Sequence, residues 1–513
     1  MNNNYLNTDI LKRTPLSYWI DSTPKTDYPE LDSDIKVDTA IIGGGLVGIS
    51  TAYLLKKEGL KVAVIDSDKI IMGTTGHTTA KITSQHGLIY TRIKEQLGEE
   101  NAKQYADANE YAISFIENLV KQENIDCDFS FQPAYVYTQT TEYTAALQAE
   151  ADITSRLGIK ASYIEEIPLP FQIKGALRFD GQAQFHPRKY LLHLSSKIHG
   201  DGSYIFEGTT VTDVEEGSTL KIKTKSGNTI TASNLIIASH FPFYDGRGLY
   251  FTRLYPERSY IIGVRAEEKF PEGMYITAED PGRSLRSQPT NDGELILVGG
   301  EHHKTAHGEH FIKHYENLIS FAKEHYTVLD IPYRWSTQDY GTMDGVPYIG
   351  HLTSKTPNIY VATGFSKWGM TNSTVSAIMF RDLIMKGENP WTNVYNPSRF
   401  TPSASASTFI TQNTDVAKNF VKGKLEDLPA EVDLPRGEGK VIRHEGQRIG
   451  AYRDEDGKLH LVDTTCTHLG CEVHWNDAEK SWDCPCHGSR FSYKGDVIEG
   501  PAKKPLNYLN NED

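Results

Sequence analysis

Cysteine is scarce, with five in 513 residues, a sparse usage that suits a reducing compartment. Long apolar runs are missing too: no uninterrupted stretch approaches the ~20 residues a helix needs to cross a bilayer, which excludes a membrane span and leaves only peripheral contact. Residues 1–25 are polar and include Asp9, Lys12 and Arg13, so they lack the apolar segment of a secretory signal, and the expected location is the cytoplasm. Basic charge is in deficit. The 53 Lys+Arg against 67 Asp+Glu leave a formal net charge of −14, a surface that repels phosphate backbones and argues against nucleic acid as a partner. A chain of this length predicts several domains of about 100 to 200 residues each rather than one core.

The few cysteines are concentrated. Four of the five fall in Cys466-Thr467-His468-Leu469-Gly470-Cys471 and Cys484-Pro485-Cys486-His487-Gly488-Ser489. A Cys-x-His and a Cys-x-x-His pair on facing loops match what a Rieske-type 2Fe-2S cluster needs: thiolates on one iron and neutral imidazoles on the other, which makes the cluster less negative and raises its potential. Cys466, His468, Cys484 and His487 are the assigned ligands. Structural zinc also uses Cys and His at short spacings, but zinc gains nothing from Gly470, Pro485 or the Gly488-Ser489 step. These loops resemble those of the Rieske proteins of cytochrome bc complexes. That resemblance implies a disulfide between Cys471 and Cys486 and an electron-transfer cluster rather than an oxygenase one. It covers residues 431–510 and closes on Gly500-Pro501-Ala502 and Leu506. The fifth cysteine, Cys127, reads as a small buried side chain.

Near the other end, a β-branched run, Val37 to Ile42, leads into Gly43-Gly44-Gly45-Leu46-Val47-Gly48 and an apolar-periodic segment to Lys57. The pattern is strand, glycine turn, helix. Gly43 permits the tight turn, Gly45 lets backbone approach a pyrophosphate, and Gly48 lets helix pack on strand, with the helix N-terminus favouring phosphate charge. A second strand, Lys61 to Ile65, ends at Asp66, placed to accept hydrogen bonds from a ribose. There is no second such fingerprint, so one dinucleotide is expected.

The segment beyond Asp66 favours FAD over NAD: Gly73-Thr74-Thr75-Gly76-His77-Thr78-Thr79-Ala80-Lys81 is rich in small hydroxylic residues that suit a flavin's phosphates and ring. This segment, with Leu235 to Ser239, Asp344 to Gly350, Ile359 to Phe365 and Gly369-Met370-Thr371, resembles the FAD-dependent D-amino-acid oxidase superfamily over residues 35–395. The resemblance implies cofactor contacts at Thr74, Thr75, Gly364, Gly369 and Met370. A helix opening near Gly369 would point N–H groups at the flavin's carbonyl edge. His77 falls where sarcosine and dimethylglycine dehydrogenases carry a covalent flavin; a hydrogen-bonding loop residue is the other reading. At the family's Ala-Thr-Gly, this chain has Ala238-Ser239-His240, and the role of His240 stays open. Strands between Tyr255 and Gly300 correspond to the family's substrate sheet, where Arg253, Arg258, Tyr260 and Arg286 are candidate polar contacts. Lys367, Arg258 and Tyr260 are the candidates for a catalytic role, against the blander reading of solvated side chains.

The expected architecture is an α/β Rossmann-like FAD domain with an interleaved mixed-sheet substrate domain over residues 1–400. Its FAD-binding parts lie near 35–90, 175–245 and 335–395. A Ser/Thr/Ala-rich linker at 401–430, with a short helix from Asp415 to Lys424, precedes a small all-β Rieske domain at 431–510. The expected function joins a two-electron flavin to a one-electron cluster. A dehydrogenase would oxidise a C–N bond of an amine or amino acid and pass electrons singly to an external acceptor, a protein or a quinone. The alternative is a redox sensor or electron carrier without an organic substrate.

Overall fold

The computed structural model describes residues 9–308, 310–399, 402–426, 428–429 and 433–509. At its centre, strand Ile35–Ile42 runs parallel to Val62–Ile65 on one side and Thr229–Ile237 on the other. Tyr204–Phe206 extends the sheet beyond Val62–Ile65, and Ile359–Thr363 extends it beyond the end of Thr229–Ile237, both in parallel. Every residue of Val62–Ile65 is buried, as a parallel strand covered on both faces requires, so its sequence is continuously apolar rather than alternating. Helices Leu46–Lys57 and Gly369–Lys386 pack against each other, which brings the first glycine turn and the last flavin-type motif to the same end of the sheet.

The second layer is an eight-stranded mixed sheet. Leu254–Ala266 lies between Val328–Thr342 and Gly293–Lys304, with Arg283–Thr290, Met274–Thr277 and Ala134–Thr138 further outward. Only the Met274–Thr277 and Ala134–Thr138 pair is parallel within the sheet. Ser130–Phe131 and Ala134–Thr138 are separate strands divided at Pro133, which has no N–H to give a ladder. Helix Ile312–His325 covers one face.

The tail is all-β: Gly439–His444, Gln447–Arg453 and Leu459–Asp463 form one antiparallel sheet, and His474–Asn476, Ser481–Asp483, Arg490–Ser492 and Val497–Glu499 the other. Trp482 is wholly buried, and a Cβ on Gly450 would sit 2.8 Å from its ring, so that close approach requires glycine.

The linker expectation needs correction. Residues Pro402–Leu425 form one helix; Thr401, Asp427, Ala430 and Glu431 lie outside the described residues. The absence of an apolar period is real, since Ile410 and Val421 are 64% and 55% exposed. The helix is held by polar contacts to both neighbours instead. Asn413 donates to the Thr252 carbonyl at 3.1 Å, Asp415 pairs with Lys304, Lys424 pairs with Glu472, and Arg448 donates to the Gly423 carbonyl at 3.0 Å. No helix among the described residues is long and apolar enough to cross a membrane.

Candidate flavin and cluster sites

At the first glycine turn, Gly43 has φ +109, and a side chain there would overlap the Ala238 carbonyl. A Cβ on Gly48 would overlap the Gly43 carbonyl. Gly45 differs, because its Cβ would meet only the Thr75 hydroxyl, at 3.1 Å; backbone is open to approach here, at the N-terminus of helix Leu46–Lys57. These vacant side-chain positions and the helix end form a cradle that fits a pyrophosphate. Asp66 accepts from Gly44 N at 2.8 Å and Asp68 N at 3.0 Å, and burial raises its pKa. Two N–H bonds leave lone pairs free for a ribose hydroxyl.

The Thr75 hydroxyl accepts from Leu46 N at 3.1 Å and so caps that helix. Thr74 instead donates to the Gln338 carbonyl at 3.1 Å. His77 holds its Nδ1 on the Gly73 carbonyl at 2.9 Å, which leaves Nε2 as the free lone pair, and burial depresses its pKa. At the second motif, Gly364 has φ +77, and a Cβ would overlap the Thr342 side chain. Helix Gly369–Lys386 opens there, Met370 is buried, and Trp368 stacks on His86 at 4.8 Å.

Strand register decides which side chains of the second sheet look at these motifs. Ser284, Gly299, Ile261 and Trp335 are successive cross-strand partners and so share a face. That face meets the Gly73–Lys81 segment: Trp335 donates to the His77 carbonyl at 2.9 Å and Lys81 donates to Ser284. Arg258 and Tyr260 belong to the opposite face. Arg258 contacts Ser336 and Glu479, and Tyr260 stacks with His303 and His314, so neither reaches the flavin-motif side. Arg253 lies over the Tyr348 ring at 4.3 Å. Arg286 directs its donors to the carbonyls of Thr79, Ala80 and Ser287, which makes it a brace. Lys367 pairs with Glu257 at 3.0 Å.

Two further polar groups on the flavin-motif face escape sequence reading. Lys81 is 8% exposed, and burial, with Arg286 nearby, brings its amine down to about 7. Asp339, the register partner of Glu257, is buried and its pKa is raised by burial. The only sequence signals are a lysine closing a hydroxylic run and an aspartate inside an otherwise uncharged stretch of strand.

In the tail, each cluster-type loop is closed on itself. Cys466 N donates to the Cys471 carbonyl at 2.8 Å and Gly470 N to that of Cys466 at 2.9 Å; Cys484 N donates to the Ser489 carbonyl at 2.8 Å and Gly488 N to that of Cys484 at 3.1 Å. Cys471 and Cys486 are joined by a disulfide, which removes them as ligands although the Cys484 sulfur lies within 4.8 Å of both. Cys466 and Cys484 are outside the disulfide, buried and in mutual contact. Cys466 is brought down to about 7, first by the Cys484 contact, while Cys484 is raised. The rings of His468 and His487 stand 5.0 Å apart. Burial lowers them to about 4 and about 3, so both are neutral at physiological pH. His468 Nδ1 is buried without a hydrogen-bond partner among the described residues. Two thiols, two neutral imidazoles and an orphaned ring nitrogen fit the donor set of a Rieske cluster.

The cluster loops sit against the FAD part. Gln338 connects the two, because its carbonyl accepts from Thr74 while its amide donates to the Gly488 carbonyl at 2.8 Å. Tyr340 donates to the Gly500 carbonyl at 3.0 Å. Phe251 meets the His487 ring at 5.9 Å, and Phe241 meets that of His468 at 6.3 Å.

Comparison with known proteins agrees with this geometry. The FAD dependent oxidoreductase family pattern matches residues 38–383, and the Rieske [2Fe-2S] domain pattern matches residues 426–510. The putative Rieske 2Fe-2S iron-sulfur protein YhfW of Bacillus subtilis is 45% identical over 98% of this chain and 99% of its own length. The gamma-glutamylputrescine oxidoreductase of Escherichia coli is 22% identical, covering 72% of this chain and 88% of that protein. The crystal structure of glycine oxidase from Geobacillus kaustophilus superposes with a TM-score of 0.60 at 19% identity, over 71% of this chain and 99% of that one. The chain therefore belongs to the FAD dependent oxidoreductase family and carries a C-terminal Rieske [2Fe-2S] domain, with FAD and one cluster as its cofactors.

Proposed function

We propose that the protein is a dehydrogenase that oxidises a C–N bond of a small amine or amino acid and delivers the electrons through its own cluster to an external one-electron acceptor, a protein or a quinone. The observation that carries this reading is Gln338, one buried residue that touches both the Gly73–Lys81 segment and the second cluster loop. The names of the glycine oxidase and gamma-glutamylputrescine oxidoreductase relatives support the substrate class. Bound FAD supplies hydride acceptance and the cluster single-electron transfer.

The chain's own residues then divide the work. Gly43, Gly45, Gly48 and Asp66 hold the dinucleotide, with Thr74, Thr75, Gly364, Gly369 and Met370 along the flavin. His77 keeps Nε2 free for a covalent flavin link, and release of all colour on acid precipitation would refute that link. Cys466, His468, Cys484 and His487 hold the irons, while the Cys471–Cys486 disulfide braces the two loops. Lys81, Ser284, Asp339 and the Lys367–Glu257 pair form the polar surface against which a substrate is held, and Lys81 holds or releases a proton at Nζ near neutral pH. Arg258 serves the interface through Glu479 and Tyr260 packs among His303, His314 and Tyr315, so neither serves the substrate.

The test is anaerobic: holoprotein is mixed with a panel of amines and amino acids while flavin bleaching and the reduced-cluster EPR signal are followed together. Bleaching followed by the cluster signal supports the dehydrogenase. A flavin that no member of the panel bleaches, in protein whose cluster responds to added acceptors, favours an electron carrier instead.

A further inference from the structure

His240 stands where a glycine would fit without cost. It comes after strand Thr229–Ile237, and its φ of +64 is a left-handed conformation that strains a side-chain-bearing residue and persists only when the surroundings impose it. The backbone is pinned there by the Thr363 hydroxyl, which donates to the His240 carbonyl at 2.5 Å. Strain retained at such a place points to a use for the side chain.

The ring lies between the two halves of the molecule. Its Nδ1 is 3.3 Å from the Thr74 hydroxyl and 3.5 Å from Glu499 Oε1 on the last strand of the cluster domain. Tyr340 packs against the ring at 4.9 Å, and His240 acts electrostatically on the buried Asp339 of the same strand as Tyr340, partly offsetting the burial that raises its pKa. Glu499 is also held by Arg490 at 3.5 Å. Burial opposes its ionisation, but the contacts with His240 and Arg490 outweigh burial and keep its pKa low. The His240 and Glu499 side chains retain 24% and 22% exposure, so the pair opens to water.

A flavin emptied by a cluster gives up two electrons and two protons, whereas the cluster takes only electrons and passes them to the external acceptor. The protons need a separate way out. We propose that His240, with Nδ1 unprotonated at the start, accepts each proton there through Thr74, whose hydroxyl turns from the Gln338 carbonyl to the ring as it takes up one proton and passes on another, and that the protonated ring hands it to Glu499 and then to water, so that Thr74, His240 and Glu499 form a proton exit alongside the electron junction at Gln338. This rests on the flavin-to-cluster reading of the protein's function.

The experiment uses fully reduced holoprotein mixed anaerobically with ferricyanide, following flavin and cluster absorbance separately in H2O and D2O. His240→Gly suits the backbone conformation, so FAD content, cluster EPR and melting temperature should match or exceed those of the parent. Its flavin reoxidation should slow and show a larger solvent isotope effect while direct cluster oxidation keeps its rate, and added imidazole should restore the flavin phase. Glu499→Gln, which keeps the shape but not the base, should slow the flavin phase and enlarge its isotope effect too. Flavin reoxidation in His240→Gly at the parental rate with the parental isotope effect overturns the proton exit while leaving the electron route intact. A parental cluster that is never re-reduced by its flavin overturns both.

Discussion

Gly488→Ala tests whether the cluster domain is seated on the flavoprotein through Pro256 and Gln338. Gly488 has φ +79, and an added Cβ would lie 2.6 Å from Pro256 Cβ and 3.0 Å from Gln338 Nε2. The left-handed backbone costs an alanine ~1–2 kcal/mol. The clash adds a further ~1–3 kcal/mol, because the Pro256 ring sits in a paired strand and the Gln338 amide can retreat only by giving up its 2.8 Å bond to the Gly488 carbonyl. Gly446 provides the control. Its φ is +78 and a Cβ there meets nothing within 4 Å, so Gly446→Ala carries the backbone cost alone. Both variants are melted as holoprotein, with loss of the cluster's visible absorbance as the signal. For a domain of this size about 4–8 °C is expected per kcal/mol, so Gly488→Ala should melt lower than Gly446→Ala by at least about 4 °C. Equal melting temperatures would mean that the loop does not rest on Pro256 and Gln338, and the proposed electron junction would lose its structural basis.

Lys81 titrates at about 7 in the folded chain against 10.5 for a free lysine. The unfolded chain therefore binds more protons between these values, and stability rises as pH climbs from about 7 to about 10. Lys81→Met should stabilise the protein at pH 7 by up to ~5 kcal/mol in urea titrations, and a gain that does not shrink at pH 10 would contradict this. Ser489 accepts from Ala502 N at 3.0 Å and donates to the Cys466 sulfur. Ser489→Ala should lower the cluster's midpoint potential, whereas Phe491→Tyr, which adds a hydroxyl beside the buried cysteines, should raise it. Protein-film voltammetry decides both, and two unshifted midpoints would refute the hydrogen-bond account. Cys466→Ser should abolish the cluster EPR signal while FAD content stays unchanged.

The parts of this protein that obey short-range rules are legible in its sequence. The glycine turn reads correctly as strand, turn and helix because the β-branched run, the glycines and the apolar-periodic segment follow one another directly in the chain, and the tail is all-β as expected. What depends on distant partners does not show. Arg258 and Tyr260 look like substrate contacts until register places them on the far face, since one residue along a strand reverses the direction of a side chain. Lys81 and Asp339 acquire meaning only through burial against strands that the local sequence does not specify. Helix Pro402–Leu425 hides because its contacts, such as Asn413 to Thr252 and Lys424 to Glu472, are polar and carry no period.

The chemistry of the seam between the domains bears on how the cluster is presented. Arg258 is 1% exposed and faces Glu479 at 3.8 Å, and Glu479 also accepts from Tyr315 at 2.9 Å. Asp477 caps helix Ile312–His325 through the N–H groups of Phe311 and Ile312 at 2.8 and 3.2 Å. Arg334 reaches the Ala478 carbonyl at 3.3 Å. Desolvated charges contribute little net stability, yet they penalise every misplaced arrangement, because a shifted partner leaves a buried charge without compensation. An apolar seam would tolerate sliding, whereas this one holds the cluster domain in a single register. With Gln338 and His240 at its centre, that register keeps the cluster loops on the strand that also touches the Gly73–Lys81 segment. On the proposed function, electron delivery within the chain then needs no domain movement.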